Sequence, residues 1–305
     1  MRTNQADCDG APAGGAISAR QLGEQRIRRF AALVRDGGRA EATGELRLGV
    51  DLGTANIVLA VVDAVGQPVA GAWEHSTVVR DGIVVDYLGA SRAVRSLLAE
   101  VEGRLQHRFK KASLSVPPGV SDGTVQVFLN VVKAANLDPD EVVDEPVAAA
   151  RVLGMTDGCV IDIGHGTTGV SILEAGRVVK SIDEATGGHH MTLVLAGATG
   201  NDYDSAERLK QDPARADEVF GVVRPTLMKM ASIAEQALRG FRPPVIYLVG
   251  GASSFDDAVG LFADRLGQPV IRPAEPMFVT PLGVPMRPTL VESSTCSTQP
   301  EGENR

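Results

Sequence analysis

The feature that most constrains the fold of this chain is a motif that occurs twice. An apolar strand ends in an aspartate, a glycine follows two residues later, and a second apolar strand completes a β-hairpin. The aspartates are Asp51 and Asp162, and the glycines are Gly53 and Gly164. Self-similarity of this kind is the signature of a repeated structural unit. The sequence therefore predicts two copies of one strand-rich domain.

The two halves continue alike after their hairpins. Each has an apolar strand, a loop of small residues and a helix, and each then reaches a proline at the start of a further helix, Pro146 and Pro281. A proline is well tolerated there because the first N–H groups of a helix have no partner within it. The chain of 305 residues is also longer than one core usually serves. We predict an α/β architecture with one domain at residues 46–157, a second at 158–286 and a cleft between them.

The two ends of the chain differ from this middle part. Residues 1–45 form an N-terminal extension, in which residues 17–35 have apolar side chains at helical spacing and several arginines, so a basic amphipathic helix is expected there. This helix either packs on its parent domain or serves a partner. Residues 287–305 hold prolines, a Ser/Thr cluster and several charges, which predicts a disordered tail. Pro285 and Pro288 also cut short the helical pattern after Pro281.

The composition disfavours several classes of function. The net charge is −8, so we expect no nucleic-acid partner. The longest apolar run, residues 57–62, is far shorter than the roughly 20 residues of a membrane-spanning helix. The N-terminus lacks the apolar segment of a secretory signal. Cys8, Cys159 and Cys296 have no metal-ligand spacing, which is typical of reduced thiols in a cytosolic protein.

The repeated motif favours a particular chemistry. Two glycine turns that face each other across a cleft offer backbone N–H groups to a phosphate chain from both sides. Asp51 and Asp162, each at the end of a strand, can hold a hydrated magnesium ion together with phosphate oxygens. A single such turn is more often an ordinary hairpin turn. The paired copies with matched surroundings favour a nucleoside triphosphate with Mg²⁺.

Four motifs in order resemble the superfamily of actin, sugar kinases and heat-shock-chaperone ATPases. They are a first phosphate loop at residues 51–56, a connecting motif at 145–150, a second phosphate loop at 162–169 and an adenosine motif at 248–253. The resemblance runs from about residue 48 to residue 284. It implies an α/β fold class with duplicated ribonuclease-H-like (actin-like ATPase) domains around a nucleotide cleft.

Within that superfamily the chain resembles the EutJ family of ethanolamine utilisation most. Residues 79–84 and 185–190 carry this likeness. The paired glycines Gly187 and Gly188 are followed by His189 and His190, where other members usually have an acidic residue. Adjacent histidines do not easily face one metal ion and no third ligand is evident, so a role in the loop is favoured over metal binding.

The resemblance implies a role for each motif residue. Asp51 and Asp162 would hold the magnesium shell, and Glu145 would orient the attacking water, so these three are the catalytic candidates, with ATP or ADP and Mg²⁺ as cofactors. The residues expected to touch phosphate are Gly53, Thr54, Ala55, Asn56, Gly164, His165, Gly166, Thr167 and Thr168. Those expected beside the purine and ribose are Gly187, Gly188, Gly250, Gly251, Ser253, Glu207 and Lys210.

Two of these assignments have alternatives. Glu207 and Lys210, three residues apart on a helix, are equally well interpreted as a solvated ion pair. His165 stands where relatives usually have glycine. Its imidazole either contacts phosphate, in which case hydrolysis is slow or lost, or points away.

The function implied by the resemblance is a chaperone-like or reactivating ATPase of weak, Mg-dependent activity. Its partner would be a client protein or enzyme of an ethanolamine-utilisation-type microcompartment, with shell proteins as a further partner through residues 17–36. It would be cytoplasmic, within or at the surface of the compartment. The alternatives are a nucleotide-binding scaffold or filament protein and a small-molecule kinase of the same fold, although no dedicated acid-base residue for a kinase stands out between the motifs.

Overall fold

The computed structural model describes residues 17–80 and 82–287. Cys8, Cys296 and the tail from residue 288 onwards lie outside this part of the chain. The first half begins with a helix and builds a sheet flanked by further helices. Its elements are α1 (Ala19–Asp36), β1 (Arg47–Leu52), β2 (Asn56–Val62), β3 (Pro68–His75), β4 (Val79–Arg80), β5 (Ile83–Val84), α2 (Tyr87–Leu105), β6 (Lys111–Val116), α3 (Asp122–Ala134), β7 (Asp138–Asp144) and α4 (Glu145–Leu153).

The second half repeats this plan and has three helices between its third and fourth strands. Its elements are β8 (Gly158–Ile163), β9 (Thr168–Glu174), β10 (Arg177–Glu184), α5 (Gly188–Thr199), α6 (Tyr203–Lys210), α7 (Ala216–Ala237), β11 (Ile246–Val249), α8 (Asp256–Leu266), β12 (Val270–Ile271) and α9 (Val279–Gly283). Within residues 17–80 and 82–287, no helix is both long and apolar enough to cross a membrane.

The two main sheets have the same topology. Their strand orders are β3-β2-β1-β6-β7 and β10-β9-β8-β11-β12, with the first three strands antiparallel and the last two parallel to the central strand. The two hairpins even close in the same way, because the Gly53 N–H donates to the Asn56 carbonyl at 2.9 Å and the Gly164 N–H to the Thr167 carbonyl at 3.0 Å. The predicted duplication and α/β fold class are confirmed.

Strand β2 shows why its sequence is apolar without interruption. Ile57, Leu59 and Val61 face the core that α2 and α3 cover. Val58 and Ala60 face a second core that lies between the two halves of the molecule. A strand covered on both faces needs apolar residues at every position, not at alternate ones. The run of residues 57–62 is therefore the mark of a central strand.

The two halves join where α4 and α9 cross. A side-chain carbon at Gly283 would lie 1.8 Å from the Ala148 carbonyl oxygen, so only glycine allows the two helices to approach this closely. Beyond α9, Pro285 packs on Gly49 of β1, where a side-chain carbon would lie 2.4 Å from the proline ring. The helix is as short as the prolines indicated. It nevertheless returns the chain to the first half.

Helix α1 is part of the folded core. Ser18 caps its first turn and Gly37 ends it with a φ of 62°. Its apolar face is fully buried, and Phe30 is the centre of that face. The Phe30 ring meets Phe278 of the second half edge to face, with centroids 5.6 Å apart, and lies against Gly71 of the first half. The first domain predicted from the sequence began at residue 46 and so leaves out a helix that packs in the core.

Polar contacts fasten α1 to both halves. The Arg26 guanidinium donates to the Val65 carbonyl in the first half at 2.8 Å. In the second half, Arg35 pairs with Glu275 at 2.5 Å, and the Ala274 N–H donates to Glu24 at 3.0 Å. Of the two accounts of this helix, packing on the parent fold is the one that the structure shows. Contact with a shell protein through residues 17–36 would have to use the opposite, basic face.

The burial of Phe30 generates a prediction about stability. We expect Phe30→Ala to lower the free energy of unfolding by about 3 to 5 kcal/mol, because it leaves a cavity between the two halves. Arg29→Ala, on the exposed face of the same helix, should change it by less than about 0.5 kcal/mol. Urea unfolding followed by circular dichroism measures both. Similar midpoints for the two variants would show that α1 is not part of the core.

Candidate functional site

The two motif aspartates end the central strands of the two sheets and lie in the cleft between them. Asp51 comes just before Leu52, the last residue of β1, and it accepts a hydrogen bond from Ser115 Oγ at 2.5 Å. Asp162 lies near the end of β8, with Thr280 Oγ1 of α9 3.5 Å from its Oδ2. Each carboxyl is thus oriented by a hydroxyl from a neighbouring element. The negative charge of Asp51 acts on Asp162, so the two halves bring these groups into one site.

Glu145, the first residue of α4, completes a group of three partly buried carboxyls. Burial raises its pKa well above the usual range, and the negative charges of Asp51 and Asp162 raise it further. Asp183 on β10 contributes to the same field. The sequence analysis missed Asp183 because it follows the second hairpin at a position that no motif marks. The feature that could have revealed Asp183 is its pairing partner, because Asp183 on β10 lies opposite Gly169 on β9, and Gly169 belongs to the second phosphate loop.

The electrostatics of this site favour a cation. Burial raises the pKa of Asp51 to about 6, although the hydrogen bond from Ser115 acts against this. Burial, followed by the charges of Asp51 and Asp183, raises the pKa of Asp162 to about 7. Within the described part of the chain, no three His, Cys, Asp or Glu side chains are arranged to hold a metal ion directly. The donor set fits a hydrated magnesium ion, which takes one or two carboxylates and completes its shell with water and phosphate.

Glycines keep the cleft open beside these carboxyls. A side-chain carbon at Gly250 would lie 2.2 Å from Asp162 Oδ1, and one at Gly187 would lie 2.5 Å from the His165 carbonyl oxygen. A backbone hydrogen bond connects the second phosphate loop with the start of α5, because the Gly188 N–H donates to the Gly164 carbonyl at 2.9 Å. The structure therefore brings together the residues assigned to the second phosphate loop, the paired glycines and the adenosine motif.

Two hydroxyls expected at the ligand are used by the protein itself. Thr168 is buried, and its Oγ1 donates to the Thr186 carbonyl at 2.6 Å. Ser253 is buried as well, and its Oγ donates to the Gly250 carbonyl at 2.7 Å. Both side chains shape the turns that carry them. Donation of either hydroxyl proton to a phosphate oxygen would first require breaking one of these bonds, but each hydroxyl oxygen can still accept a hydrogen bond from a ligand.

An unpaired polar atom lies in the first phosphate loop. The Asn56 Nδ2 is 3.6 Å from the Met277 sulfur across the cleft, while its Oδ1 is buried and has no hydrogen-bond partner among the described residues. A buried acceptor without a partner is costly unless a ligand or water supplies a donor. A hydroxyl or a metal-bound water would satisfy this oxygen. The site thus has an acceptor that a bound ligand can use.

The Glu207 and Lys210 pair is not the solvated ion pair that the sequence offered as an alternative to ribose contact. The side chain of Lys210 is only 9% exposed and that of Glu207 23%, so the pair is not solvated. The Lys210 ammonium uses its three donors on the Gly188 carbonyl at 3.0 Å, Thr192 Oγ1 at 2.8 Å and Glu207 Oε2 at 2.7 Å. The pair therefore anchors the start of α5, and a ribose would have to compete with these bonds.

The histidines of the second loop and of α5 form a connected group. His165 Nε2 is 3.1 Å from the hydroxyl of Tyr203 on α6, and His189 Nδ1 is 2.8 Å from the same hydroxyl. His190 Nδ1 accepts the Gly187 N–H at 3.2 Å. The His165 ring is thus held towards α6. His189 and His190 thus make separate contacts, one with α6 and one with the residue before α5.

Known proteins are similar to this chain in sequence and in fold. The family model described as MreB/Mbl protein matches residues 69–197. The ethanolamine utilization protein EutJ of Salmonella typhimurium strain LT2 is 40% identical over 260 residues, which cover 85% of this chain and 91% of that protein. The crystal structure of EutJ from Carboxydothermus hydrogenoformans has a TM-score of 0.83 and 41% identity, covering 87% of this chain and 98% of the other. MreB5 of Spiroplasma citri, solved bound to AMPPNP, has a TM-score of 0.63 at 19% identity, covering 79% and 95%, and shows the fold alone.

The raised pKa of Asp162 predicts a dependence of stability on pH. Because the folded state holds this proton up to a pH of about 7 and the unfolded state only to about 4, the metal-free protein loses stability through this group as the pH rises between those values. Water can enter the cleft, so we expect a loss of about 1 to 2 kcal/mol, below the roughly 4 kcal/mol of a fully buried group.

Asp162→Asn removes this loss, since an amide does not ionise. Urea unfolding in chelated buffer should show Asp162→Asn to be more stable than the wild type at pH 8 by about 1 to 2 kcal/mol, with the difference shrinking towards pH 4.5. Asp264→Asn on the exposed side of α8 serves as the matched control. A difference that is the same at both pH values would contradict the buried ionisation.

Proposed function

Because the chain belongs to the EutJ family of ethanolamine utilization proteins and has the actin-like fold, we propose that it binds ATP or ADP with Mg²⁺ in the cleft between its two halves. One observation carries this proposal. Two matched glycine turns carry Asp51 and Asp162, and the partly buried Glu145 lies within the field of both. Three carboxylates close together and partly removed from water are unfavourable without a cation. A magnesium ion with a polyphosphate would remove that cost.

The turns on either side of the carboxyls suit a phosphate chain. Gly53 and Gly164 close the hairpins, which leaves the turn residues 54–55 and 165–166 at the cleft. Backbone N–H groups in such turns, unobstructed by side chains, bind anions well. Residues from both halves would therefore contact one ligand. The likeness to MreB5 shows the fold alone, so the support for nucleotide binding comes from this geometry.

The nucleoside would lie between the paired glycines and the adenosine motif. Gly187 and Gly250 have no room for a side chain on the protein side, and the backbone there can approach a flat ring closely. Met277 lies 3.7 Å or more from the side-chain position of Gly251 and reaches Asn56 across the cleft. Its flexible thioether offers an adaptable apolar wall. The Asn56 oxygen supplies the acceptor for a ligand hydroxyl.

The carboxyls have separate tasks in hydrolysis. A bound magnesium ion would supply positive charge that neutralises the phosphate oxygens. Asp51 and Asp162 would hold its water shell through Oδ atoms that Ser115 and Thr280 already orient. The pKa of Glu145 is raised well above its usual range in the free protein, and positive charge in the site would lower it and favour the carboxylate. That carboxylate can then accept a proton from the attacking water.

The larger role proposed is chaperone-like or reactivating handling of a client enzyme of an ethanolamine-utilisation microcompartment. Nucleotide-dependent closure of a two-domain cleft can be converted into movement of a partner. Three elements would transmit such movement here, since α1 contacts both halves and α4 crosses α9 at Gly283. The name of the relatives connects them with ethanolamine utilization. A location within or at the surface of the compartment is part of the same proposal.

Calorimetric titration and phosphate release test the assignment. We expect the wild type to bind Mg-ATP and Mg-ADP, and Asp162→Asn to bind them about tenfold or more weakly with its Mg²⁺ dependence reduced. Glu145→Gln should keep its affinity and lose turnover by about 100-fold or more, because it keeps the shape of the side chain without its proton-accepting charge.

Asp264→Asn is the control for a carboxylate outside the cleft and should match the wild type in both measurements. Equal affinities for Mg-ATP in the wild type, Asp162→Asn and Asp264→Asn would remove the site assignment. Phosphate release by Glu145→Gln at the wild-type rate would remove the role given to Glu145 alone.

A further inference from the structure

Three rings from three elements meet beside the second phosphate loop. His165 belongs to the loop itself, His189 to the first turn of α5 and Tyr203 to the first turn of α6. The Tyr203 hydroxyl lies 3.1 Å from His165 Nε2 and 2.8 Å from His189 Nδ1. The His165 and His189 ring centroids are 5.8 Å apart. One phenol therefore connects two imidazoles whose backbones both border the cleft.

The number of protons on this group is limited by the single hydroxyl. Between two neutral imidazoles, Tyr203 donates its proton to one ring and accepts an N–H from the other, so the two tautomers depend on each other. One added proton can be accommodated, because the charged ring donates its N–H to the Tyr203 oxygen and the neutral ring still accepts the Tyr203 hydroxyl proton. Two added protons would leave no ring able to accept the hydroxyl and would place like charges close together. The group is built to take up one proton.

The charges around the rings disfavour that proton in the free protein. His165 faces Lys210, Glu207, His189 and His75, while His189 faces His190, Lys210, Glu207 and Arg80. The single carboxylate among these, on Glu207, is already paired with Lys210 at 2.7 Å. Burial first, and then the neighbouring positive groups, lower the pKa of both rings. A multiply charged anion at the loop would reverse this balance.

We propose that Tyr203 is a positioning residue that joins His165 and His189 into one proton-accepting unit of the phosphate site, which takes up a proton when a polyphosphate occupies the cleft. The inference deepens the proposed function and rests on it. The positions of the two histidines support this proposal. His165 belongs to the loop that would contact the phosphates. Its backbone carbonyl accepts the His189 N–H at 2.7 Å, which holds His189 beside the same loop. Anion binding and ring protonation would therefore favour each other, so the titration midpoints of the two rings should rise when the phosphate chain is bound.

Resonances of the five histidine rings, followed by NMR between pH 5 and 8.5, test this directly. In the wild type with saturating Mg-ADP, the titration midpoints of His165 and His189 should rise by about one pH unit or more. His107, exposed and remote on the first half next to Phe109, is the internal reference and should not move. Single His→Gln variants assign the signals.

Tyr203→Phe removes the bridging hydroxyl and keeps the ring. We expect the rise in the titration midpoints of His165 and His189 that Mg-ADP causes to fall to less than half of its wild-type size. The two histidines should then titrate independently. Tyr87→Phe, which loses a hydroxyl bonded to the Asn130 carbonyl far from the cleft, is the matched control and should behave as the wild type. His189→Asn, which keeps a polar group near the hydroxyl, is a second way to break the chain should Tyr203→Phe fold poorly.

The outcomes separate this inference from the proposed function. If calorimetry shows Mg-ADP binding while the wild-type midpoints of His165 and His189 stay in place, the proton-accepting unit is wrong and the nucleotide site stands. A rise of the His165 midpoint as large as in the wild type, in both Tyr203→Phe and His189→Asn, would overturn the role given to the Tyr203 hydroxyl. If neither Mg-ADP nor Mg-ATP binds at all, the proposed function fails and this inference fails with it.

Discussion

The gathering of three partly buried carboxyl groups where two matched sheets meet is the constraint on which the cleft depends. Asp51 and Asp162 end equivalent central strands, and Glu145 opens the helix that crosses between the halves. A stable core would not normally collect carboxyls in this way, because each loses hydration and repels the others. Their pKa values are raised as a result. The fold tolerates this cost where a cation and a polyanion can offset it.

Close backbone approaches hold the two halves in the geometry that creates this site. Glycine at position 283 lets α9 lie against α4, and glycine at position 49 lets Pro285 reach β1. Helix α1 adds an apolar face buried against both halves, with ion pairs and hydrogen bonds at its margins. Any movement of one half relative to the other must pass through these contacts. The cleft and the shared core are therefore mechanically one unit.

The sequence predicted the repeated parts well because their pattern is local. Each hairpin combines period-two or continuous apolar strands with a glycine turn, and the same pattern appears in both halves. Helix α4, with Pro146 in its first turn, was found for the same reason, whereas α9 begins at Val279, two residues before Pro281. The side-chain partners could not be predicted, because Thr168, Ser253, Glu207 and Lys210 all carry polar groups that suit a ligand. Whether they face the ligand or each other depends on hydrogen bonds across the fold.

The sequence by itself determined the duplication, the order of the motifs and the aspartate at the end of each central strand, since these follow from the types and spacing of neighbouring residues. Only the tertiary structure decided that α1 belongs to the core, that Asp183 joins the acidic group and that Tyr203 connects His165 with His189. Each of these depends on contacts between residues far apart in the chain. Their local patterns, a basic amphipathic helix, a strand aspartate and a helix tyrosine, are compatible with many other positions in a fold.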